Sequence, residues 1–168
     1  MAGFTLVEFM TILAIAAIFT TLAVPGYRNM IQNNKATSAA NKLSASIQLA
    51  RMEAVRRGVS VAVCPTANNN FTACGSSSQW SDGWIVYVDS DEDNTIDALS
   101  ERIKVSEGFS SDANVTSVSD AISYDGSGFL NSGGVSFSIS TPGCTGNNAR
   151  TLNVSASGRV SVVQAACS

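Results

Sequence analysis

Residues 4–25 run Phe-Thr-Leu-Val-Glu-Phe-Met-Thr-Ile-Leu-Ala-Ile-Ala-Ala-Ile-Phe-Thr-Thr-Leu-Ala-Val-Pro, an apolar stretch broken by a single carboxylate, Glu8. About 21 residues precede Pro25, and at about 1.5 Å per helical residue they span roughly 30 Å, the thickness of one hydrocarbon core. A carboxylate inside such a span is expensive unless it finds a partner, so Glu8 marks a functional position. Gly3, a small residue, stands immediately before the span, where a peptidase would cut. Cleavage there makes Phe4 the new N-terminus and places a free amine one helical turn from Glu8.

The rest of the chain has a different character. About 143 residues follow Pro25, enough for one domain with a core of its own. Charge density is low, and Ser, Thr, Asn and Gly are abundant, which suits an extracytoplasmic β-rich domain better than a cytosolic enzyme. The net charge of -3 and a pI near 4.8 give no general attraction to nucleic acid or anionic lipid. Histidine is absent, and with it the commonest general base and transition-metal ligand. No nucleophile elbow, phosphate loop or acid/base pair is present, so the sequence points away from catalysis and calls for no cofactor.

All four cysteines, Cys64, Cys74, Cys144 and Cys167, lie outside the span. None has Cys-x-x-Cys spacing, which argues against a redox dithiol or a zinc site. Two disulfides formed in an oxidising compartment are the better reading than four buried thiols. Three connectivities are possible. Cys64–Cys74 with Cys144–Cys167 is favoured, because each bridge closes a local loop rich in turn formers.

Helical periodicity continues past the span to about Arg57. Ala36, Ala40, Leu43, Ile47, Ala50 and Ala54 recur at spacings of three and four, while Lys35, Lys42, Glu53 and Arg56 fall largely off that stripe. Such a narrow, small-residue face can lie close against a sheet. Pro25-Gly26 is expected to loosen or kink the junction, and Gly58 to end the helix. Beyond Gly58 the period drops to two. Strands are expected at Val59–Cys64, Gly83–Asp89, Ile103–Val105, Val115–Val118, Ala121–Tyr124, Val135–Ile139, Thr151–Ser155 and Arg159–Val163. The fold class is therefore α+β: a long N-terminal helix packed on an antiparallel β domain of two small sheets.

Two further features invite chemistry. Asp89-Ser-Asp91-Glu-Asp93-Asn94 places carboxylates where an EF-hand loop has its first, third and fifth ligands. The sixth position is Asn94 rather than Gly, the twelfth is Ser100 with Glu101 one place late, and no flanking helix pair is expected. A solvated acidic turn is favoured over a calcium site, and no metal is assigned. Trp80 and Trp84 read as core and turn packing, with an exposed aromatic patch as the alternative.

Gly3-Phe4-Thr5-Leu6-Val7-Glu8, the apolar run and Pro25 together resemble the signal of type IV pilins and type II secretion pseudopilins. Later segments resemble the GspH/FimT/FimU group within that family: Ala54-Val-Arg-Arg57 before Gly58, Trp80-Ser-Asp-Gly-Trp-Ile-Val-Tyr-Val-Asp-Ser-Asp-Glu-Asp-Asn94, and Thr151 to Val160 with the closing Cys167. The resemblance implies a pilin-like shape. It implies a leader at 1–3, a transmembrane and assembly helix at 4–25, and an extracytoplasmic pilin domain at 26–168 that includes the second half of the helix. It also implies cleavage after Gly3 by a prepilin peptidase, methylation of Phe4, and pairing of Glu8 with a neighbouring subunit's N-terminal amine. The implied function is that of a minor pilin that primes or caps a type IV pilus. Its partners would be other minor pilins and the major pilin. The chain would cross the inner membrane once, with its domain in the periplasm, before moving to a pilus at the cell surface. A minor pseudopilin of a type II secretion system is the alternative.

One feature departs from this pattern. Met1-Ala2-Gly3 lacks the basic residues usual in such leaders, and the nearest positive charges, Arg28 and Lys35, follow the span. By charge bias alone the domain would face the cytoplasm, against the cysteine reading. A start upstream of Met1, or a shortened leader, is the expectation. A DNA-capturing pilin is a further alternative, because FimT-type pilins are thought to use a Gly-Arg-x-Arg strand. Here Gly158-Arg159-Val160-Ser161 supplies one arginine, with Arg150 nearby, and DNA is not an expected partner.

Overall fold

The computed structural model describes residues 5–109 and 112–167. Its first element, α1, is a helix of 52 residues, Leu6–Arg57, roughly 80 Å long at the usual rise. Both ends have local causes. Thr5 is the N-cap: its hydroxyl accepts the Glu8 N–H at 3.3 Å, and its own N–H donates to the Glu8 carboxylate at 3.4 Å, a reciprocal capping box. At the other end Gly58 adopts the left-handed conformation (φ 68°) and donates its N–H to the Ala54 carbonyl at 2.8 Å. The helix continues through Pro25-Gly26 without a break in assignment.

The two halves of α1 have opposite surroundings. From 5 to 31 every side chain described is exposed, including Leu6, Phe9, Ile12, Ile15, Phe19 and Val24. From Ala36 onward the small-residue stripe is buried: Ala36, Ala39, Ala40, Leu43, Ile47, Ala50 and Ala54 face the domain core.

Eight strands follow: β1 Val61–Pro65, β2 Gly83–Val88, β3 Arg102–Glu107, β4 Asn114–Ser117, β5 Ile122–Tyr124, β6 Val135–Ser140, β7 Ala149–Val154 and β8 Val160–Ala165. They form two four-stranded antiparallel sheets, ordered β3-β2-β1-β5 and β4-β6-β7-β8. One continuous core joins the helix stripe to Val61, Val63, Trp84 and Val86 of the first sheet and to Val115, Phe137, Ile139, Leu152 and Val154 of the second. The small side chains on α1 leave room for these larger ones.

β1 starts at Val61, two residues later than the alternating pattern suggests. The left-handed cap at Gly58 turns the chain away from the helix, and Ser60 instead meets Ser123 hydroxyl to hydroxyl at 2.9 Å. β1 is buried on both faces, because Ala62 and Cys64 join Ile85 and Tyr87 in a second cluster on the far side of the first sheet. Phe71, Cys74 and Ile96, from the loops on either side of β2, cover that cluster. Trp80 and Trp84 are fully buried, so they form no exposed aromatic patch. The Trp80 indole N–H donates to the Ser119 carbonyl at 2.9 Å, and its ring meets Phe137 edge-on at 4.9 Å.

Candidate functional site

The processing residues Gly3 and Phe4 lie outside the described residues. Glu8 sits on the first turn of α1, exposed, and among the described residues its carboxylate touches only the Thr5 N–H, at 3.4 Å, and no basic group. That contact is long and solvent-facing, so the carboxylate is held weakly where it stands. Pro25 lies within α1, between the exposed apolar half and the buried half. α1 is long and apolar enough to cross a membrane, and none of its most apolar window is buried. One helix thus presents a bare apolar rod at one end and a docked face at the other.

Near the middle of α1 the domain's C-terminal loops grip the helix. Cys144 is joined to Cys167, tying the end of β8 to the loop that precedes β7. Beside that bridge Gln32 donates to the Gly143 carbonyl at 2.7 Å, and the Thr145 hydroxyl donates to Asn29 Oδ1 at 3.1 Å. Arg150 reaches the same stretch. It donates to Asn33 Oδ1, to the Thr37 hydroxyl at 3.1 Å and to the Ala149 carbonyl at 2.8 Å. The second bridge, Cys64–Cys74, closes the loop that carries Phe71 over the second cluster.

Arg150 and Arg159 are not brought together. In the β7–β8 ladder Arg150 stands opposite Gln164, whereas Arg159 precedes the Val154–Val160 pair at the other end. At about 3.4 Å per residue they are more than about 10 Å apart. Arg159 is exposed, while Arg150 is half-buried and occupied by the helix.

The acidic loop after β2 is unusual in one respect. Asp91 and Asp93 are exposed, but Asp89 is only 1% accessible, and neither of its carboxylate oxygens has a hydrogen-bond partner. Oxygens of all three carboxylates lie within 4.8 Å of one another. Burial raises the Asp89 carboxyl to about 6, and the charges of Asp93 and Asp91 push the same way. The backbone N–H groups of Asn94 and Asp93 pull against them without reaching hydrogen-bond geometry.

One group that joins the parts was not singled out from the sequence. Arg51, on α1, donates from Nε to the Gly128 carbonyl at 3.0 Å and from Nη2 to the Ser157 carbonyl at 2.9 Å. It pins the helix to the turns after β5 and β7. In the chain it reads as one more surface charge on a helix; only its place beside Ala50 and Ala54 hints at contact.

Comparison with known proteins bears on this arrangement. The family model of the type II transport protein GspH matches residues 39–158, from the docked half of α1 to the turn before β8. Among solved structures the chain is similar to the type IV minor pilin FimU of Pseudomonas aeruginosa in two crystal forms. One shares 21% identity over 77% of this chain and 89% of that chain, with a TM-score of 0.61. The other shares 22% identity over 76% and 91%, with a TM-score of 0.58. No curated protein sequence matches significantly. The family match covers most of the chain, and the structural similarity extends the same pilin fold over it. The chain belongs to the GspH family.

Proposed function

We propose that this chain is a structural subunit of a type IV pilus, a minor pilin that primes assembly or caps the fibre. The observation that carries the reading is the division of α1. Its second half packs into the domain core, and its apolar first half has no partner among the described residues. Such a surface is stable in lipid first and between packed helices of other subunits afterwards.

The proposed sequence of events follows from the residues. A prepilin peptidase cuts after Gly3, and Phe4 becomes the amino terminus. The chain waits in the inner membrane with its domain in the periplasm, where the bridges form. On assembly, the Glu8 carboxylate exchanges its weak contact with Thr5 for the Phe4 amine of a neighbouring subunit. A charge pair in a low-dielectric bundle holds register well, because either partner left alone is costly. The neighbours are other minor pilins and the major pilin.

The second reading, a minor pseudopilin of a type II secretion system, is favoured by the description of the matched family. Deletion of the gene separates the two. A pilus subunit is expected to leave cells with few or no surface fibres and normal export of folded enzymes, with the chain recovered in sheared fibres from wild-type cells. Normal piliation with a loss of export would make it a pseudopilin. DNA capture is a weaker reading, since the helix occupies Arg150 and leaves Arg159 alone in an acidic chain.

A further inference from the structure

A buried carboxylate with no hydrogen bond is a costly arrangement, because a desolvated charge needs a counter-charge or several donors. Among the described residues Asp89 has no counter-charge and no donor in hydrogen-bond geometry, only the nearby N–H groups of Asn94 and Asp93. Among the described residues no Lys or Arg forms an ion pair with Asp89, Asp91 or Asp93. Yet the three carboxylates converge, with oxygens of each within 4.8 Å of the others. A second buried polar group precedes Asp89 in the chain. The hydroxyl of Tyr87, near the end of β2 and two residues before Asp89, is inaccessible and has no partner among the described residues. Burial is the first cause that raises this hydroxyl, and the charges of Asp89, Asp93, Glu101 and Asp91 add to it.

We propose that Asp89, Asp91 and Asp93 form a calcium site that pins the loop after β2 onto the first sheet. A divalent cation supplies what the loop lacks, a positive charge at the convergence of three carboxylates. The donors are all oxygen, with no His or Cys, which selects a hard cation. Calcium accepts irregular shells of carboxylates and water, whereas magnesium demands a near-ideal octahedron and gives up its waters reluctantly. The spacing of the three aspartates follows the first, third and fifth ligands of an EF-hand loop. Asn94, where such a loop has its glycine, takes the left-handed conformation (φ 61°) that the turn requires. The Asp93 carboxylate accepts the Thr95 N–H and hydroxyl at 2.7 Å, which orients it and leaves lone pairs free. Glu101 stands outside the three converging carboxylates, and its Oε2 accepts the N–H groups of Asp97 and Ala98 at 3.0 and 3.2 Å. The site is therefore a three-carboxylate one completed by water, of the modest affinity that suits millimolar calcium outside cells.

The test uses the full-length chain in detergent, stripped with a chelator that is then removed. It is titrated calorimetrically with calcium chloride and, separately, with magnesium chloride. Melting is followed with and without calcium. One equivalent of calcium is expected to bind, at least tenfold more tightly than magnesium, and to raise the melting temperature. Asp91→Asn, at an exposed position, should melt like the unaltered chain in chelator and bind calcium at least tenfold more weakly. Asp89→Asn should melt at or above the unaltered chain in chelator, since it removes an unpaired buried charge, and should no longer respond to calcium. The proposal is overturned by no saturable calcium binding up to about 10 mM, by magnesium binding equally well, or by unchanged binding in Asp91→Asn.

Discussion

Arg51 and Gly126 show how single positions hold the helix to the sheets. Arg51 brings a guanidinium to two turn carbonyls, on turns that the Leu130 N–H also joins by donating to the Ala156 carbonyl at 3.0 Å. Arg51→Met keeps most of the aliphatic stem and removes both hydrogen bonds. It is expected to lower unfolding free energy by about 2 kcal/mol in urea denaturation, the scale of charge-assisted bonds at a half-buried site. Gly126 lies where the turn after β5 passes the end of α1. A Cβ there would meet the Gly58 carbonyl carbon at 2.7 Å and its oxygen at 2.8 Å. Because the obstacle is backbone, Gly126→Ala is expected to destabilise by about 1–3 kcal/mol in the same assay. Gly26, by contrast, has nothing within 4 Å of such a Cβ, and Gly26→Ala should raise helix stability by roughly 1 kcal/mol. Neither Arg51 nor Gly126 is distinctive in the chain, because each owes its role to a partner on a distant turn.

Among the elements, α1 and the strands were legible because their periods differ. The stripe from Ala36 to Ala54 has helical spacing, and it is the face the sheets cover. Val135–Ser140 alternates buried and exposed side chains strictly, as a strand with one wet face must. What the pattern cannot carry is sheet membership. β4 and β5 are neighbours in sequence, yet β4 pairs with β6 in the second sheet and β5 with β1 in the first. Alternation says which side chains point inward but not toward which sheet. The burial of Asp89 was hidden for a similar reason. Its neighbours Ser90 to Asp93 are exposed, and the acidic run reads as wholly solvated. The Cys144–Cys167 bridge spans 23 residues, and closing such a loop removes entropy from the unfolded chain worth about 3 kcal/mol. Cys144→Ser/Cys167→Ser is therefore expected to lose about that much stability. Amide exchange should rise first in β8 and in the loop that meets Asn29 and Gln32. Unchanged exchange in those segments would mean that the helix contacts alone hold this end.

At the scale of the whole molecule, an exposed apolar rod adjoins a head whose loops are secured by bridges, Arg51 and Arg150. The head's acidity and the occupied Arg150 predict negligible DNA affinity. Fluorescence anisotropy of a labelled duplex with the full-length chain in detergent, at about 150 mM salt, should show no binding in the micromolar range. Micromolar binding abolished by Arg150→Ala/Arg159→Ala would make DNA capture the primary function. On the proposed function, the exposed half of α1 is an assembly surface registered by Glu8. Its most direct measurement is the amount of Glu8→Ala chain in sheared fibres, by immunoblot, against the amount in the membrane. The expected result is a processed chain at normal abundance in the membrane and a loss of at least tenfold from fibres. Glu8→Ala chain present in fibres at the wild-type level would contradict it.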